Sequence, residues 1–232
     1  MRGVEEKIAG AVTALVDHPF VELSGATGSG KSTGVPAFCY RNGIKLVLSV
    51  PLRGAAISLA RRIAKQLNVP FGDRVGFRTG LGSSSAAWPD IMVVTSGWLE
   101  TYVFHNGWSG LSERLLMLDE FHLGDTSTIL TLAWLRVDYL LNRKIPFTIL
   151  ASATPNTELL YDYVGAQAVA LPGSTPYPIT VLKPGSTFVD TVLCTRQKLV
   201  SPLNLLSFIV SLECKFERRY YERHQGAKFD TT

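Results

Sequence analysis

The stretch FVELSGATGSGKST (residues 20–33) decides the fold, because a short apolar run leads directly into a glycine-rich loop and then into a helical pattern. The loop GATGSGKST fits G-x-x-x-x-G-K-[ST], in which glycines let backbone N–H groups wrap a phosphate. A glycine-rich turn can match this pattern by chance, but the strand before it and the helix after it favour a nucleotide-binding loop. The predicted nucleotide-binding residues of this loop are Gly25, Ala26, Thr27, Gly28, Ser29, Gly30, Lys31, Ser32 and Thr33.

The composition describes a globular, mildly basic chain. Hydrophobic residues make up 46% and charged residues 18%, and the net charge of +4 permits a polyanionic partner without requiring one. The cysteines at positions 39, 194 and 214 are too widely spaced for a zinc site or a disulfide framework, which favours a reducing, cytoplasmic setting. The N-terminus lacks a secretory signal, and the apolar run at 203–212 is too short to span a bilayer, so we predict no membrane-spanning segment.

Short apolar runs alternate with longer helical patterns along the chain. This alternation predicts an α/β fold, in which a mostly parallel sheet is covered by helices on both faces. A Gly/Ser-rich segment at 80–90 is expected to be a mobile loop, and a Pro/Gly-rich segment at 171–186 is expected to leave the domain. The predicted strands are 20–23, 45–50, 91–95, 115–118 and 147–151, and the predicted helices outside the loop region are 54–67 and 126–142.

A second motif, LDEFHLGDTS (118–127), places charged groups directly after a buried strand. Such charges are costly unless they are needed there. An aspartate at this position can hold Mg²⁺ beside the phosphates, and the adjacent glutamate can orient and deprotonate an attacking water. The alternative is a solvated turn, which a phosphate-binding loop elsewhere in the chain makes the weaker explanation. We therefore predict Asp119 as a magnesium partner, with Ser32, and Glu120 as a catalytic base.

The motifs together resemble a known family. GATGSGKST, DEFH (119–122) and SAT (152–154) look like motifs I, II and III of superfamily 2 DExH-box (DEAH-like) RNA helicases. PLRGAAISLARRIA (51–64) resembles motif Ia, and VTSGWL (94–99) is similar to motif Ib. The resemblance implies a RecA-like P-loop NTPase domain that binds ATP over residues 1–185. Residues 186–232 would be a C-terminal extension or the incomplete start of a second domain.

Within this family, two details lean toward the viral branch. DEFHLGDTSTI resembles the run that follows the DExH box in flavivirus- and potyvirus-type helicases, and a proline follows SAT. Cellular DEAH proteins usually carry Glu-Arg where this chain has Leu123 and Gly124. If the protein is viral, its setting would be the host cytoplasm.

The resemblance also implies roles for individual residues. Lys31, Asp119, Glu120 and His122 would be catalytic, and His122 with Ser152 and Thr154 would couple the nucleotide state to the RNA-binding face. Arg62 would stack on the nucleotide base, although an exposed charge on an amphipathic helix explains it equally well. The implied cofactors are Mg²⁺ and ATP, and the absence of a glutamine before Gln66 predicts that GTP and other NTPs are accepted. The implied RNA-backbone contacts are Arg53, Thr95 and Gly97.

A complete motor of this family needs a second RecA-like domain that supplies arginine fingers. No Q-x-x-G-R-x-G-R motif occurs in this sequence, so the isolated chain is expected to hydrolyse NTP slowly and to unwind nothing unaided. The implied partners are single-stranded or partly duplex RNA and that second domain. Two alternatives stay open: a truncated fragment that binds nucleotide and RNA without motor activity, and a P-loop NTPase of another class. The tail at 215–225 mixes basic and aromatic residues, as RNA-binding segments or solvated helices can.

Overall fold

A single twisted sheet forms the centre of the domain. The computed structural model describes residues 2–84 and 87–172. The sheet has eight strands in the order β4-β3-β5-β2-β6-β7-β1-β8, and every neighbouring pair is parallel except β3 and β4. The strands are β1 Phe20–Ser24, β2 Leu46–Val50, β3 Val75–Thr79, β4 Gly82–Ser83, β5 Ile91–Thr95, β6 Leu115–Leu118, β7 Thr148–Ser152 and β8 Gln167–Ala170.

Helices cover both faces of this sheet. Three of them, α1 to α3, pack on one face, and α4 to α6 pack on the other, so each face has its own apolar core. A short 3-10 helix, Phe121–Leu123, follows β6. The α-helices are α1 Arg2–Ala14, α2 Lys31–Arg41, α3 Arg53–Leu67, α4 Ser96–Asn106, α5 Thr126–Leu140 and α6 Thr157–Val164.

The central strands are apolar on both sides because both sides are buried. In β1, Val21 and Leu23 face α1–α3, whereas Phe20 faces α4–α6. The same alternation runs through β2, β5, β6 and β7, whose residues are almost all buried. Strands buried on two faces carry continuous rather than alternating hydrophobic runs. This explains why these five strands could be recognised as short apolar runs.

The predicted α/β architecture is confirmed, and its motif-bearing strands lie within a residue of their expected positions. The expectation for 80–90 was wrong at its start, because Gly82 and Ser83 form β4 and Phe77 donates its N–H to the Ser84 hydroxyl at 2.8 Å. The structure describes no residue after 172. Three predictions therefore lie outside the described residues: the division at 185, the tail, and all but the first two residues of the segment at 171–186 that was expected to leave the domain. Among the helices that the structure describes, none is long and apolar enough to span a membrane.

Candidate active site

The phosphate-binding loop lies between β1 and α2, where parallel sheets gather ligands. Gly28 and Gly30 have φ of 84° and 92°, a left-handed conformation that glycine adopts without strain. Gly25 is needed for a different reason. A Cβ there would lie 2.9 Å from Ser29 Oγ and 3.0 Å from the Cβ of Leu171, so a side chain would not fit without displacing its neighbours.

Lys31 is the buried cation of this loop. Only 6% of its surface is exposed, and its ammonium donates to the carbonyl oxygens of Gly25 and, at 3.2 Å, of Ala26. Burial lowers the pKa of Lys31, while the carboxylates of Asp119 and Glu120 oppose that effect. The loop therefore places a buried positive charge at the position predicted for the phosphates.

Asp119 stands at the carboxyl end of β6 and is also buried. Its N–H donates to the carbonyl of Ser49 at 2.9 Å, and its carboxylate accepts from the N–H of Glu120 at 3.0 Å. Burial raises the pKa of Asp119, and hydrogen bonds from the Ser32 hydroxyl and the Glu120 N–H oppose the rise. A hydroxyl and a buried carboxylate in contact are hard oxygen donors, so Ser32 and Asp119 fit the predicted Mg²⁺.

Glu120 has an unusual backbone. Its φ of 54° is left-handed, which costs an ordinary residue roughly 1–2 kcal/mol. This turn joins β6 to the 3-10 helix and leaves the Glu120 side chain 41% exposed. Its carboxylate reaches within 3.5 Å of His122 Nε2. Strained non-glycine residues of this kind cluster at functional sites, which agrees with the role predicted for this glutamate.

His122 connects Glu120 with the SAT segment. Its Nδ1 accepts the N–H of Ala153 at 3.3 Å, so a neutral imidazole carries its proton on Nε2, the nitrogen that faces Glu120. The hydroxyl of Ser152 hydrogen-bonds to both the N–H (3.1 Å) and the carbonyl of Thr154. The structure thus brings the three predicted coupling residues together, but His122 contacts the backbone of the segment rather than its hydroxyls.

Two neighbouring cavities hold most of the predicted catalytic, nucleotide-binding and coupling residues. The first, of about 620 Å³, joins the phosphate-binding loop to α3 and to the end of β6. The second, of about 670 Å³, contains His122, Ser152 and Thr154. Arg62 of α3 lines the first cavity, which makes a contact with a bound nucleotide geometrically possible. The predicted residues lining the first cavity are Thr27, Gly28, Gly30, Lys31, Ser32, Thr33, Arg62, Asp119 and Glu120.

The predicted RNA contacts lie along the same edge of the sheet. Arg53 is exposed at the start of α3, directly after β2, and Gly97 is exposed in the first turn of α4, directly after β5. Thr95 ends β5 and pairs with Val50, the last residue of β2. Adjacent parallel strands therefore present these groups side by side, as a surface that follows a phosphate backbone requires.

Two polar contacts were not foreseen from the sequence. Asp125 caps α5 by accepting the N–H of Thr128 at 3.2 Å, and it also accepts the hydroxyl of Ser96 at 2.9 Å. Glu22, in the middle of β1, is fully buried and accepts hydrogen bonds from the segment after SAT. The N-cap pattern at 125–128 was a readable signal. The single charged residue inside the apolar strand β1, Glu22, was a weaker signal.

Comparison with known proteins agrees with this arrangement. An Escherichia coli DEAH/RHA helicase, HrpB, has the same fold with a TM-score of 0.66 and 31% identity, covering 85% of this chain and 26% of HrpB. The chain is related to the DExH/DEAH-box helicases. ATP-dependent RNA helicase DHX33 of Drosophila melanogaster is 29% identical over 91% of this chain and 32% of its own length. The probable ATP-dependent RNA helicase DHX34 of Homo sapiens is 30% identical over 87% of this chain and 17% of its own length.

The chain spans about a third or less of these curated DExH/DEAH-box relatives. No protein-family model matches it. The predicted viral leaning is not supported by the cellular relatives above. A viral protein is also similar to this chain: the genome polyprotein of Soybean mosaic virus is 37% identical over 55% of this chain and 4% of the polyprotein.

Proposed function

We propose that this chain is the NTP-binding and hydrolysing domain of an RNA helicase, which couples NTP hydrolysis to RNA binding and unwinding. One observation carries the proposal: Lys31, Ser32, Asp119 and Glu120 meet at a single cavity of about 620 Å³. These are the groups that phosphoryl transfer to water requires. The family relationship supports the same conclusion.

The residues of the chain divide the work as follows. Lys31 would neutralise charge on the terminal phosphates while the backbone of the loop holds them. Glu120 would orient a water and accept its proton, as the water oxygen attacks the γ-phosphorus and the bond to the leaving oxygen breaks. His122 Nε2 lies 3.5 Å from the Glu120 carboxylate, so the hydrogen bonding of His122 would change when that carboxylate accepts a proton. Mg²⁺, when held by Ser32 and Asp119, would supply neutralisation of the phosphate oxygens.

RNA would bind along the edge formed by Arg53, Thr95 and Gly97. Such groups contact phosphates and position a strand without reading its sequence. This edge lies close to the NTP cavity, because β2 and β6 are neighbouring parallel strands. Arg53 follows the carboxyl end of β2, and Asp119 and Glu120 follow the carboxyl end of β6. Single-stranded or partly duplex RNA is therefore the proposed partner.

Hydrolysis assays with and without single-stranded RNA test this proposal directly. We expect a slow basal rate that RNA stimulates, and loss of both by Lys31→Ala and Glu120→Gln, by about 100-fold or more. Lys65→Ala, which removes an exposed lysine of α3, is the matched control and should behave as the wild type. Hydrolysis without RNA stimulation would instead favour the alternative, a fragment that binds nucleotide and RNA without motor activity.

A second RecA-like domain is proposed as the partner that supplies arginine fingers. Because such a finger is worth about 10³–10⁵ in rate, the chain alone should hydrolyse NTP slowly. Strand displacement by the purified chain is expected to be undetectable. Robust unwinding without another domain would contradict this part of the proposal.

Nucleotide selectivity should be loose. Among the described residues, the part of the cavity away from the phosphate-binding loop is lined by aliphatic groups, Arg62 and Ser58, and the Ser58 hydroxyl already donates to the Gly54 carbonyl at 2.8 Å. Apolar and stacking contacts discriminate poorly between purine bases. We expect kcat/KM for GTP within about threefold of that for ATP. A preference for ATP of more than tenfold in steady-state assays would contradict this prediction.

A viral origin and a cytoplasmic setting remain predictions. The motif DEFHLGDTS and the potyvirus similarity support the first, and the cellular relatives do not. The wide spacing of the cysteines supports the second.

A further inference from the structure

Glu22 is a buried carboxylate in the middle of β1, between β7 and β8. Its exposure is 0%, and among the residues that the structure describes no cation forms a salt bridge with it. A carboxylate buried without compensation destabilises a domain by several kcal/mol. Some compensating interaction must therefore hold Glu22 in this position.

That compensation comes from the start of α6. Glu22 Oε1 accepts the N–H of Asn156 at 2.7 Å, and Oε2 accepts the hydroxyl of Thr157 at 2.6 Å. Asn156 occupies the N-cap position but its own side chain makes no capping hydrogen bond. Glu22 thus accepts the N–H of the N-cap residue itself, as the acidic partner in a capping box does, and places a carboxylate at the N-terminus of α6, where negative charge is favoured.

The contact fixes one end of the SAT segment. The other end is fixed by β1 as well, since Ser24 pairs with Ser152 in the sheet and Gly25 donates its N–H to the Ser152 carbonyl at 3.1 Å. Between these two anchors lies Ala153, whose N–H holds His122 by its Nδ1. Strand β1, which leads into the phosphate-binding loop, therefore forms hydrogen bonds on both sides of Ala153, at Ser152 and at Asn156.

We infer that Glu22 is a positioning residue for NTP hydrolysis. By holding the N-terminus of α6, it sets the Ala153 N–H against His122, and His122 in turn faces Glu120 at 3.5 Å. Glu22 acts through these groups and is not among the residues that line the proposed nucleotide cavity. The expected effect of Glu22 on the rate of NTP hydrolysis rests on the proposed function. Its expected effect on the position of His122 does not.

The kinetic test compares Glu22→Leu, Glu22→Gln and Thr157→Val. Leucine removes both hydrogen bonds, glutamine retains two hydrogen-bonding atoms of the same reach, and valine removes only the hydroxyl. We expect kcat under RNA stimulation to fall about tenfold in Glu22→Leu, less in Thr157→Val, and to recover in Glu22→Gln. The Kd of a non-hydrolysable ATP analogue should change by less than about twofold. Glu158→Gln, an exposed carboxylate in the same helix turn, is the control and should have no effect.

The structural test reads the tautomer of His122 by ¹⁵N NMR of histidine-labelled protein. The neutral imidazole of the wild type should carry its proton on Nε2, and that of Glu22→Leu should show a mixture of tautomers. If Glu22→Leu does not fold, Thr157→Val carries the same comparison. Wild-type kcat and an unchanged His122 tautomer in Glu22→Leu would overturn the inference. If the wild-type chain hydrolyses no NTP, the proposed function fails, and the tautomer alone decides the role of Glu22.

Discussion

Lys31 and Asp119 are two buried residues of opposite charge, each of which is held by uncharged partners. Burial lowers the pKa of the lysine and raises the pKa of the aspartate, so both charges are disfavoured where they stand. A phosphate anion beside Lys31 and a divalent cation beside Asp119 would reverse both effects. The ligand proposed for this cavity, a magnesium nucleotide, would supply both the anion and the divalent cation.

Cys39 provides a prediction on pH. This thiol is fully buried in α2, and burial raises its pKa from 9.0 to about 12. The folded protein therefore keeps a proton that the unfolded chain loses above pH 9. The stabilisation from this residue is complete below pH 9 and declines as the pH rises toward 12.

We expect Cys39→Ala to lower the free energy of unfolding by about 1–2 kcal/mol near pH 8, and by less near pH 10. Urea unfolding of both proteins at these two values measures the difference. Other groups that titrate in this range are common to both proteins and cancel. A difference that is the same at both pH values would contradict the prediction.

At the scale of elements, the N-terminus of α5 joins two motifs. Asp125 caps this helix through Thr128 and also accepts from Ser96, which begins α4 directly after β5. The loop that carries Glu120 and His122 is thereby tied to the strand end predicted to contact RNA. One carboxylate serves both connections.

Removing that carboxylate should destabilise the domain. We expect Asp125→Ala to cost roughly 2 kcal/mol of unfolding free energy and Ser96→Ala about 1 kcal/mol. The double variant should show a coupling energy of about 0.5–1 kcal/mol, because both changes remove the same hydrogen bond. Thr101→Ala, whose hydroxyl bonds only within α4, is the control and should stay within about 0.5 kcal/mol. Strict additivity of the two changes would contradict the proposed tie.

The sequence predicted those elements whose pattern is local. The strands β1, β2, β5, β6 and β7 read as apolar runs because they are buried on both faces. The short edge strand β8, QAVA, is mostly exposed and offered no such run. Strand β3, VGFRT, was obscured by a glycine and an arginine. Helix α1 did carry an apolar spacing, at Val4, Ile8 and Ala11, that could have been recognised.

In the candidate site, too, the sequence revealed the local motifs but not the contacts between residues far apart in the chain. The loop at 25–33 and the DEFH motif are contiguous in sequence, so their residue types and spacing reveal them. The contact between Glu22 and Asn156 joins residues 134 positions apart, and no local pattern encodes it. The hydrogen bond of His122 to Ala153, which lie 31 positions apart, depends equally on the packing of the 3-10 helix against β7. Contacts of this kind require the fold.

For the molecule as a whole, nucleotide binding should stabilise the domain. A ligand at about 100 times its Kd adds roughly 2.7 kcal/mol, which for a chain of this size raises the Tm by roughly 5–10 °C. We expect magnesium-ATP and magnesium-GTP to give similar shifts in differential scanning fluorimetry. Lys31→Ala should abolish the shift, while Glu120→Gln should retain it, because glutamine preserves the lining of the cavity. A normal shift in Lys31→Ala would contradict the assignment of the loop.

The position of β1 in the sheet also has a consequence for synthesis on the ribosome. Although β1 comes early in the chain, it pairs only with β7 and β8, the last two strands described. The nascent chain can join β2, β3, β5 and β6 while β1 still lacks both neighbours. The phosphate-binding loop would therefore be among the first parts to emerge and among the last to become structured. A nascent chain released before β7 would lack both neighbours of β1, so we expect it not to bind nucleotide.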